Sequence, residues 1–346
     1  MLASEAANRP RWRGEAGFFE IWFLVVFEPG ERRAWWLRYS TFAPAPGRPG
    51  PRRATLWAAA FDAGAPEPAI GVKAILPIEE YGAGVPDRFA IRLGSAELEN
   101  DAARGVVSAG GHEIAWDLRF VPALREARRM PRLFHHLPLP THVAHANSEI
   151  ACSGLVRVDG VERALGGAPG VQKHLWGTRR VEELFWLYCP RFEEDAAACL
   201  EATAVRPRRR LPGGLPAPWL TTVWLRTAAG TLDRTELPGV LGNRVVARGG
   251  GPIEFRTTSA TRRLRATAWC DARTLVGYVY RDPAGSDLHV AQTDLASCTL
   301  EIGTRPHPLA AWRPHARLTC SGGGALEFHA PDPLPGVRYL GWDARA

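Results

Sequence analysis

Residues 17–27 read Gly17-Phe18-Phe19-Glu20-Ile21-Trp22-Phe23-Leu24-Val25-Val26-Phe27 and are followed by Glu28-Pro29-Gly30. Aromatic and β-branched residues fill this stretch, and the Pro-Gly pair after it is typical of a turn. Similar stretches follow at 35–42, 54–61 and 68–76, each between clusters of proline and glycine. The beginning of the chain therefore predicts short β-strands joined by turns.

The strand pattern continues along the rest of the chain. In residues 112–120, Ile114, Trp116, Leu118 and Phe120 alternate with polar or small residues, which is typical of a strand with one buried face. Only residues 121–129 show a weak helical periodicity, and they begin a proline-rich segment, 121–147, that is predicted to be a long crossing loop. Further strands are predicted at 149–158, 181–189, 196–205, 219–226, 253–258, 262–270, 274–281, 287–302, 315–320 and 325–329. The sequence therefore predicts an all-β protein.

Length and composition indicate two structural units. The chain has 346 residues with 29 prolines, 35 glycines and 13 tryptophans, which exceeds the usual size of one hydrophobic core and favours sheets over helical bundles. The segment 207–218 is rich in proline, glycine and arginine. We expect an N-terminal unit at 1–206, a linker at 207–218 and a C-terminal unit at 219–346.

The positive charge of the chain comes almost entirely from arginine. The net charge is +7, and Lys73 and Lys173 are the only lysines. The arginines are scattered among predicted loops, and a nucleic-acid surface would gather them on one face beside stacking aromatics. No glycine-rich phosphate-binding motif follows a predicted strand. We therefore expect neither a nucleic-acid partner nor a cofactor.

Cysteine usage and hydropathy set expectations about the compartment. The six cysteines form no Cys-x-x-Cys pair, and several lie in apolar strand-like stretches, so reduced core residues are expected rather than zinc ligands or disulfides. The first twenty residues are polar and lack the apolar core of a signal peptide. The longest apolar run, 21–27, is shorter than the roughly 20 residues that a spanning helix needs. We expect a cytoplasmic protein without an integral membrane segment.

Two segments of the first half share an order of motifs with a known superfamily. The first opens with Glu20-Ile21-Trp22-Phe23. The second runs from Gly154-Leu155-Val156-Arg157-Val158-Asp159-Gly160 through Gly166-Gly167 to Gly170-Val171-Gln172-Lys173-His174-Leu175-Trp176-Gly177, with Trp186 nine residues later. This order resembles the lipocalin-like superfamily of carotenoid 1,2-hydratase (hydroxyneurosporene synthase), tocopherol-cyclase-like proteins and lipocalin-like Diels–Alderases.

The resemblance implies a fold and a class of ligand. The implied fold is two lipocalin-like, calycin-type antiparallel β-barrels in tandem, and the implied substrate is an isoprenoid, a polyketide or another lipid-like molecule. Hydration, cyclisation and pericyclic reactions are known in the family, generally without an organic cofactor. Where the hydratase-like pattern has Asp before His, this chain has Lys173, so the family's Asp/His acid pair does not carry over.

The candidate catalytic residues are His174, Lys173 and Glu20. Imidazole transfers protons near neutral pH, and Lys173 beside it would either lower the pKa of His174 by charge repulsion or itself hold a carbonyl or enolate oxygen. Glu20 lies in an otherwise apolar strand, where a carboxylate needs a partner, a raised pKa or a solvent-facing position. A functional Glu20 would pair with Lys173, His174 or an arginine such as Arg180. The structural alternatives are that His174 and Trp176 lock the barrel and that Glu20 belongs to an ordinary buried ion pair.

The pleat of a strand predicts how these side chains are arranged. Adjacent strand residues point to opposite faces, so we expect His174 to share a face with Trp176 and to face a cavity, while Lys173 points away. Both cationic groups would converge only if a bulge at Gly170 or Gly177 broke the alternation. The candidate ligand-binding residues are Trp22, Trp176, Trp186 and Tyr188, with Arg180 at the mouth of the cavity.

Four histidines of the proline-rich segment, His135, His136, His142 and His145, raise the question of a metal site. No His-Glu-x-x-His helix or ligand-spaced Cys or Asp accompanies them, so a chance cluster in a loop is favoured and no metal site is predicted.

These residues support one main hypothesis about the function and two alternatives. The first is a cofactor-independent isomerase, cyclase or hydratase-like lyase that acts on a hydrophobic small molecule in the N-terminal barrel or between the barrels. The second is a non-catalytic carrier with the same cavity, and the third is a structural or lipid-interacting stress protein. An enzyme is expected to bring Glu20, His174 and Lys173 to one point, whereas a carrier would scatter them.

Overall fold

Almost all regular structure in the chain is β-sheet. The computed structural model describes residues 2–84, 88–207, 214–247 and 251–340. In these ranges, two helices of six residues, α1 (Ala3–Asn8) and α2 (Leu237–Gly242), and the 3-10 turns Ile78–Glu80, Arg132–His135 and Ala272–Thr274 accompany two large antiparallel sheets. The prediction of an all-β fold is confirmed.

The first sheet holds the first eleven strands. They are β1 (Phe18–Glu28), β2 (Arg33–Ala43), β3 (Arg53–Asp62), β4 (Ala69–Pro77), β5 (Tyr81–Ala83), β6 (Ala90–Leu93), β7 (Ala96–Glu99), β8 (Ala102–Ala109), β9 (His112–Phe120), β10 (Thr141–Val158) and β11 (Val161–Gly177). Their order across the sheet is β4-β3-β2-β1-β11-β10-β9-β8-β7-β6-β5. Strand β4 also packs against β8 and β9, so the sheet curls into a nearly closed barrel.

Large side chains fill the interior of this barrel. Trp22 and Leu24 of β1 pack there with Tyr39 and Trp116. The hydroxyl of Tyr39 accepts a hydrogen bond of 2.8 Å from Nε1 of Trp116. Burial of side chains of this size contributes about 1.5–3 kcal/mol each, so aromatic packing stabilises the barrel from within.

The second sheet holds the other eleven strands. They are β12 (Glu183–Cys189), β13 (Cys199–Arg206), β14 (Leu220–Thr227), β15 (Gly230–Arg234), β16 (Arg244–Ala247), β17 (Ile253–Thr258), β18 (Arg262–Trp269), β19 (Val276–Arg281), β20 (Asp287–Thr304), β21 (Arg313–Ala330) and β22 (Tyr339–Leu340). The main order is β15-β14-β13-β12-β21-β20-β18-β17-β16, and β19 pairs with β20 and β22. Helix α2 packs against β14, β15 and β17 and so lies near both edges of the main path.

One face of each sheet packs against the other sheet. Phe19, Phe23 and Trp36 of the first sheet share a buried apolar cluster with Tyr188 and Tyr278 of the second. Residues of β1 therefore alternate between the barrel interior and this inter-sheet layer, because successive side chains of a strand point to opposite faces.

Most predicted strands agree with the structure to within a few residues, and 112–120 and 253–258 match the observed strands β9 and β17. The weak helical periodicity of 121–129 was misleading, because that segment forms no helix. The long loop expected at 121–147 ends earlier, since β10 begins at Thr141 and contains His142 and His145. The segments 315–320 and 325–329 belong to the single strand β21.

Strands β12 and β13 were assigned to the N-terminal unit, 1–206, yet both pair within the second sheet. The hydrogen-bonded sheets therefore change between Gly177 and Glu183. Residues 208–213 of the linker expected at 207–218 lie outside the described residues. The units 1–206 and 219–346 stay a prediction about folding units.

Candidate functional site

Glu20 and His174 meet inside the first barrel. Strands β1 and β11 pair with Trp22 opposite His174 and with Glu20 opposite Trp176, so all four side chains point to one face. Nε2 of His174 lies 2.8 Å from Oε1 of Glu20, and both side chains are fully buried. The carboxylate thus has its expected partner on the neighbouring strand.

The same pair binds the N-terminal segment to the barrel. Glu20 accepts hydrogen bonds from the backbone amides of Arg11 (2.5 Å) and Trp12 (3.1 Å), and Nδ1 of His174 lies 2.8 Å from the carbonyl oxygen of Ala7. A carbonyl only accepts, so Nδ1 carries a hydrogen. Both ring nitrogens of His174 are therefore occupied by groups of the protein.

Four rings form a row across three strands at this end of the barrel. The ring of His174 stacks on Trp22 at 4.7 Å between centroids and meets Trp176 at 4.6 Å. His142 of β10 stacks on Trp176 at 5.5 Å with an interplanar angle of 11°. The row Trp22, His174, Trp176, His142 thus leads from the closed interior towards β10.

A cavity of about 280 Å³ lies at the His142 end of this row. Its lining includes Trp176, His142, Arg11, Glu126 and Phe134. The guanidinium carbon of Arg11 lies 5.0 Å from the centroid of a Trp176 ring. The cavity therefore combines aromatic walls with one cation, one carboxylate and imidazole groups, a composition typical of ligand sites.

His142 has the electrostatic properties of a base. Burial lowers the pKa of this imidazole, a backbone hydrogen bond with Leu139 opposes the effect, and the charges of His135 and Arg11 add to it. A lowered histidine pKa leaves the neutral ring, with a free lone pair, in excess at neutral pH. His142 can therefore accept a proton from a molecule in the cavity.

Lys173 lies on the other face of β11. Its ammonium pairs with Glu201 of β13 and lies 4.3 Å from the centroid of the Trp186 ring. Nε of Arg129 lies 3.3 Å from Oε2 of Glu201, and Nδ1 of His145 lies 3.5 Å from Oε1. This buried ion cluster joins the two sheets.

The pKa values in the ion cluster follow from burial and charge. Burial acts to raise the pKa of Glu201, but the charges of Lys173, His145 and Arg129 bring it down to about 2. Burial lowers the pKa of Lys173. Burial, with the charge of Lys173, lowers the pKa of His145 to about 3. Glu201 is therefore the anion around which the cluster is built.

The remaining predicted ligand residues also lie between the sheets. Nε1 of Trp186 donates to Oε1 of Glu201 at 3.2 Å. The hydroxyl of Tyr188 donates to the carbonyl oxygen of Ser148 at 2.6 Å. The guanidinium carbon of Arg180 lies 4.1 Å from the centroid of the Phe19 ring, and its backbone amide donates to Asp282. These residues do not share a site with His174.

The eight predicted site residues thus divide into two groups. Glu20, Trp22, His174 and Trp176 lie in the barrel, and Lys173, Trp186, Tyr188 and Arg180 lie between the sheets. Pairing of β1 with β11 is unbroken from residue 170 to 177, so no bulge brings Lys173 to the face of His174. Trp176 lines the 280 Å³ cavity, whereas His174 lies behind Trp176 and does not line the cavity.

Sequence reasoning missed His142, Arg11 and Glu126 as members of one site. The histidines of the proline-rich segment were noted, but they were weighed only as metal ligands. Trp176 was recognised, and its cross-strand partner is His142, so the pairing of β10 with β11 is the signal that would have found this histidine.

Within the described ranges, no group of three or more His, Cys, Asp or Glu side chains is placed to hold a metal ion. Over the same ranges, no helix has both the length and the apolar character needed to cross a membrane.

Comparison with known proteins gives relatives and structural neighbours. No family model matches the sequence. The uncharacterized proteins Rv0493c and MT0513 of two Mycobacterium tuberculosis strains, H37Rv and CDC 1551, are 23% identical over 318 residues, which cover 87% of this chain and 86% of each relative.

Two solved structures share the architecture. A protein described as an AttH from Nitrosomonas europaea has a TM-score of 0.51 at 11% identity, covering 93% of this chain and 99% of its own. Kievitone hydratase from Nectria haematococca has a TM-score of 0.50 at 8% identity, covering 94% and 91%. At such identities the likeness shows the fold alone, and the expected all-β fold is confirmed, with two large antiparallel sheets of which the first closes into a nearly complete barrel.

Proposed function

We propose that this protein is an enzyme of the isomerase, cyclase or hydratase-like lyase kind, which acts without a cofactor on a hydrophobic small molecule in the cavity beside Trp176. The observation that carries the proposal is the imidazole of His142, which stacks on Trp176 in the wall of that cavity and has a lowered pKa. A base in a partly apolar cavity fits proton transfer at carbon.

The proposed chemistry uses three groups around the cavity. His142 takes a proton from a substrate carbon, and the guanidinium of Arg11 stabilises the negative charge that develops on an adjacent oxygen. Return of that proton to a different carbon completes an isomerisation. Its transfer to a departing hydroxyl, which leaves as water, completes a lyase reaction, and the reverse sequence is a hydration. Trp176 provides the flat apolar surface for the substrate.

His174 and Glu20 act in this proposal as positioning residues. Their hydrogen bonds fix the segment that carries Ala7 and Arg11, and the ring of His174 supports Trp176 from behind. Lys173 has no role in this site, because its ammonium is on the opposite face. A volume of about 280 Å³ is at the lower end for ligand pockets, so the substrate is a small ring or the end of a longer molecule.

The predicted catalytic residues lie at two separate places, which favours a second candidate function, a non-catalytic carrier of a hydrophobic molecule. Glu20 and His174 converge but Lys173 does not, and both nitrogens of His174 are bonded within the protein. A carrier would hold the same hydrophobic molecule and return it unchanged.

The two functions are distinguished by incubating the purified protein with an extract of small hydrophobic metabolites in D2O. Mass spectrometry then follows every compound that the protein depletes or labels with deuterium. We expect the wild type to label or convert at least one compound, His142→Ala to lose that activity, and His136→Ala to keep it. His136 is the matched control because it is exposed in the same segment and does not line the cavity. Recovery of a bound compound that wild type and His142→Ala leave equally unlabelled would show a carrier.

A further inference from the structure

A row of five cross-strand partners faces the second sheet from the first. Successive registers place Lys173 opposite Phe23, Phe23 opposite Arg38, Arg38 opposite Trp57 and Trp57 opposite Lys73. The row alternates cations with aromatic rings and contains both lysines of the sequence. Lys173 pairs with Glu201, and the cation in the middle of the row is Arg38.

Arg38 is a buried guanidinium with unused donors. Its side chain is 2% exposed, and Nε and Nη1 have no hydrogen-bond partner among the described residues. Its guanidinium carbon lies 4.0 Å from the centroid of the Tyr280 ring and 5.4 Å from that of Trp57. The hydroxyl of Tyr280 forms a hydrogen bond with this guanidinium, but Nε and Nη1 remain without an acceptor. Arginine does not lose its proton, and a buried cation whose donors are only partly satisfied is costly.

A second buried guanidinium lies over the same ring. The guanidinium carbon of Arg180 is 5.1 Å from the Tyr280 centroid, and its Nε reaches the carbonyl oxygen of Arg281 at 3.5 Å. Burial and the charge of Arg38 lower the pKa of Arg180 to about 9, which still leaves it charged at neutral pH. Two positive charges therefore lie against the same aromatic ring, that of Tyr280.

Neighbouring donors are also unused. Nε1 of Trp36 and the hydroxyl of Tyr278 are buried without a hydrogen-bond partner in the described ranges, and the two rings are 4.9 Å apart. With Nε and Nη1 of Arg38, four polar atoms in one cluster lack the acceptors that buried donors normally have. An acceptor with several lone pairs would satisfy them.

The nearby carboxyl groups do not supply that acceptor. Burial, opposed by a hydrogen bond from Gln292, raises the pKa of Asp294 to about 8, so this group is mostly neutral at pH 7. Glu327 is bonded to His329, with 2.5 Å between Oε1 and Nε2. Asp282, whose carboxylate accepts from the backbone amide of Arg180 at 2.9 Å, is the counter-charge beside Arg180, whereas no carboxylate of the described residues accepts from Nε or Nη1 of Arg38.

We propose that Arg38 and Arg180 bind the carboxylate of a largely apolar organic acid between the two sheets. Carboxylates accept several hydrogen bonds, and arginine recognises them with matching geometry. The aromatic rings around the guanidinium groups provide an apolar surface for the body of the acid. A cavity of about 350 Å³, whose lining includes Lys73 and Val276, adjoins the same row, since Nζ of Lys73 lies 4.9 Å from the Trp57 ring. This site is separate from the cavity beside Trp176 and does not depend on the proposed function.

The test measures the thermal unfolding midpoint of the full chain at constant ionic strength. The probes are phenylacetate, benzoate and octanoate, their neutral amides as controls, and chloride and phosphate as inorganic anions. We expect a saturable rise of the midpoint with at least one organic anion and none with its amide. Arg38→Met is expected to weaken that binding at least tenfold, Arg38→Lys to weaken it less, and Arg191→Met, at an exposed arginine, to leave it unchanged.

Stability without any added anion supplies the second readout. If the anion site at Arg38 is empty in the absence of ligand, Arg38→Met removes a buried charge that has no anionic partner. The free energy of unfolding is then not expected to fall. A rise of the midpoint with inorganic anions alone, or equally with acids and amides, would overturn the proposal. So would a destabilised Arg38→Met protein combined with a wild type that responds to none of the probes, because Arg38 would then be a structural cation held by aromatic rings.

Discussion

Lys173 and His174 are adjacent in the chain, yet each pairs with a carboxylate in a different part of the fold. The ammonium of Lys173 pairs with Glu201 of the second sheet, and the imidazole of His174 pairs with Glu20 inside the first barrel. Strand β11 therefore contributes one face to the barrel interior and the other to the inter-sheet layer. Replacement of each residue has a distinct consequence.

His174→Phe is expected to destabilise the protein by about 3 kcal/mol, the lower end for removing one partner of a buried ion pair. Phenylalanine keeps the ring stacked on Trp22 but leaves Glu20 with only the amides of Arg11 and Trp12 as donors. The N-terminal segment also loses its bond through Ala7 and should become sensitive to limited proteolysis. Urea unfolding and proteolysis measure the two effects, and His136→Phe is the exposed control. Unchanged stability in His174→Phe would contradict this role.

Lys173→Met is expected to cost about 3–5 kcal/mol of stability, because Glu201 loses its closest cation in a buried position. Replacing both residues, in Lys173→Met/Glu201→Gln, should cost less than Lys173→Met alone, since no uncompensated carboxylate remains. A double-mutant cycle by chemical denaturation measures the coupling between the two residues. Additive effects of the single replacements would show that the pair does not join the sheets energetically.

The strands were predictable because their signals are local. In β9 (His112–Phe120), the alternation of large apolar residues with polar or small residues marks both ends of the strand. The turn at Asp159-Gly160 is also visible in the sequence, and both residues have positive φ angles of 49° and 81°. Strand β10 was harder, since its N-terminal half lies directly after Pro138 and Pro140 and its pairing with β11 contains bulges.

The candidate site was only partly predictable because it depends on contacts between distant segments. The apolar strand around Glu20 predicts that its carboxylate has a partner, and His174 was one of the candidates. The structure pairs the two side chains. No local pattern shows that Glu126 and Phe134 line a cavity with Trp176, and His142 could be found only through the pairing of β10 with β11. The opposite directions of Lys173 and His174 follow from the pleat, but the partner of Lys173, Glu201, is set by the packing of two sheets.

Gly177→Ala is expected to destabilise the protein by more than about 1 kcal/mol, because the native backbone is incompatible with a side chain there. Gly177 has φ of 156°, and a Cβ atom would lie 2.1 Å from the carbonyl oxygen of Pro140. Gly166→Ala, in the same strand, is the matched control, because nothing lies within 4 Å of its Cβ position. Thermal unfolding of both variants measures the difference. Equal midpoints would show that the backbone at Gly177 relaxes freely.

The pH dependence of stability is expected to carry the signature of His145. Burial and the charge of Lys173 lower the pKa of His145 to about 3, with Glu201 opposing and Arg129 reinforcing the shift, whereas a histidine of the unfolded chain titrates near 6.5. Between these values the unfolded state binds a proton that the folded state does not, so the free energy of unfolding falls as the pH falls.

The slope approaches about 1.4 kcal/mol per pH unit below pH 6.5, the value for one proton. Urea unfolding at pH 7.0, 6.0 and 5.0 measures it before most carboxylates titrate. The variant His145→Gln keeps a polar side chain without an imidazole, so the difference between wild type and variant isolates this residue. His315→Gln, at an exposed histidine, should leave the wild-type slope unchanged. Parallel pH profiles for wild type and His145→Gln would mean that His145 binds its proton equally in both states, and the neutral histidine in the ion cluster would have to be abandoned.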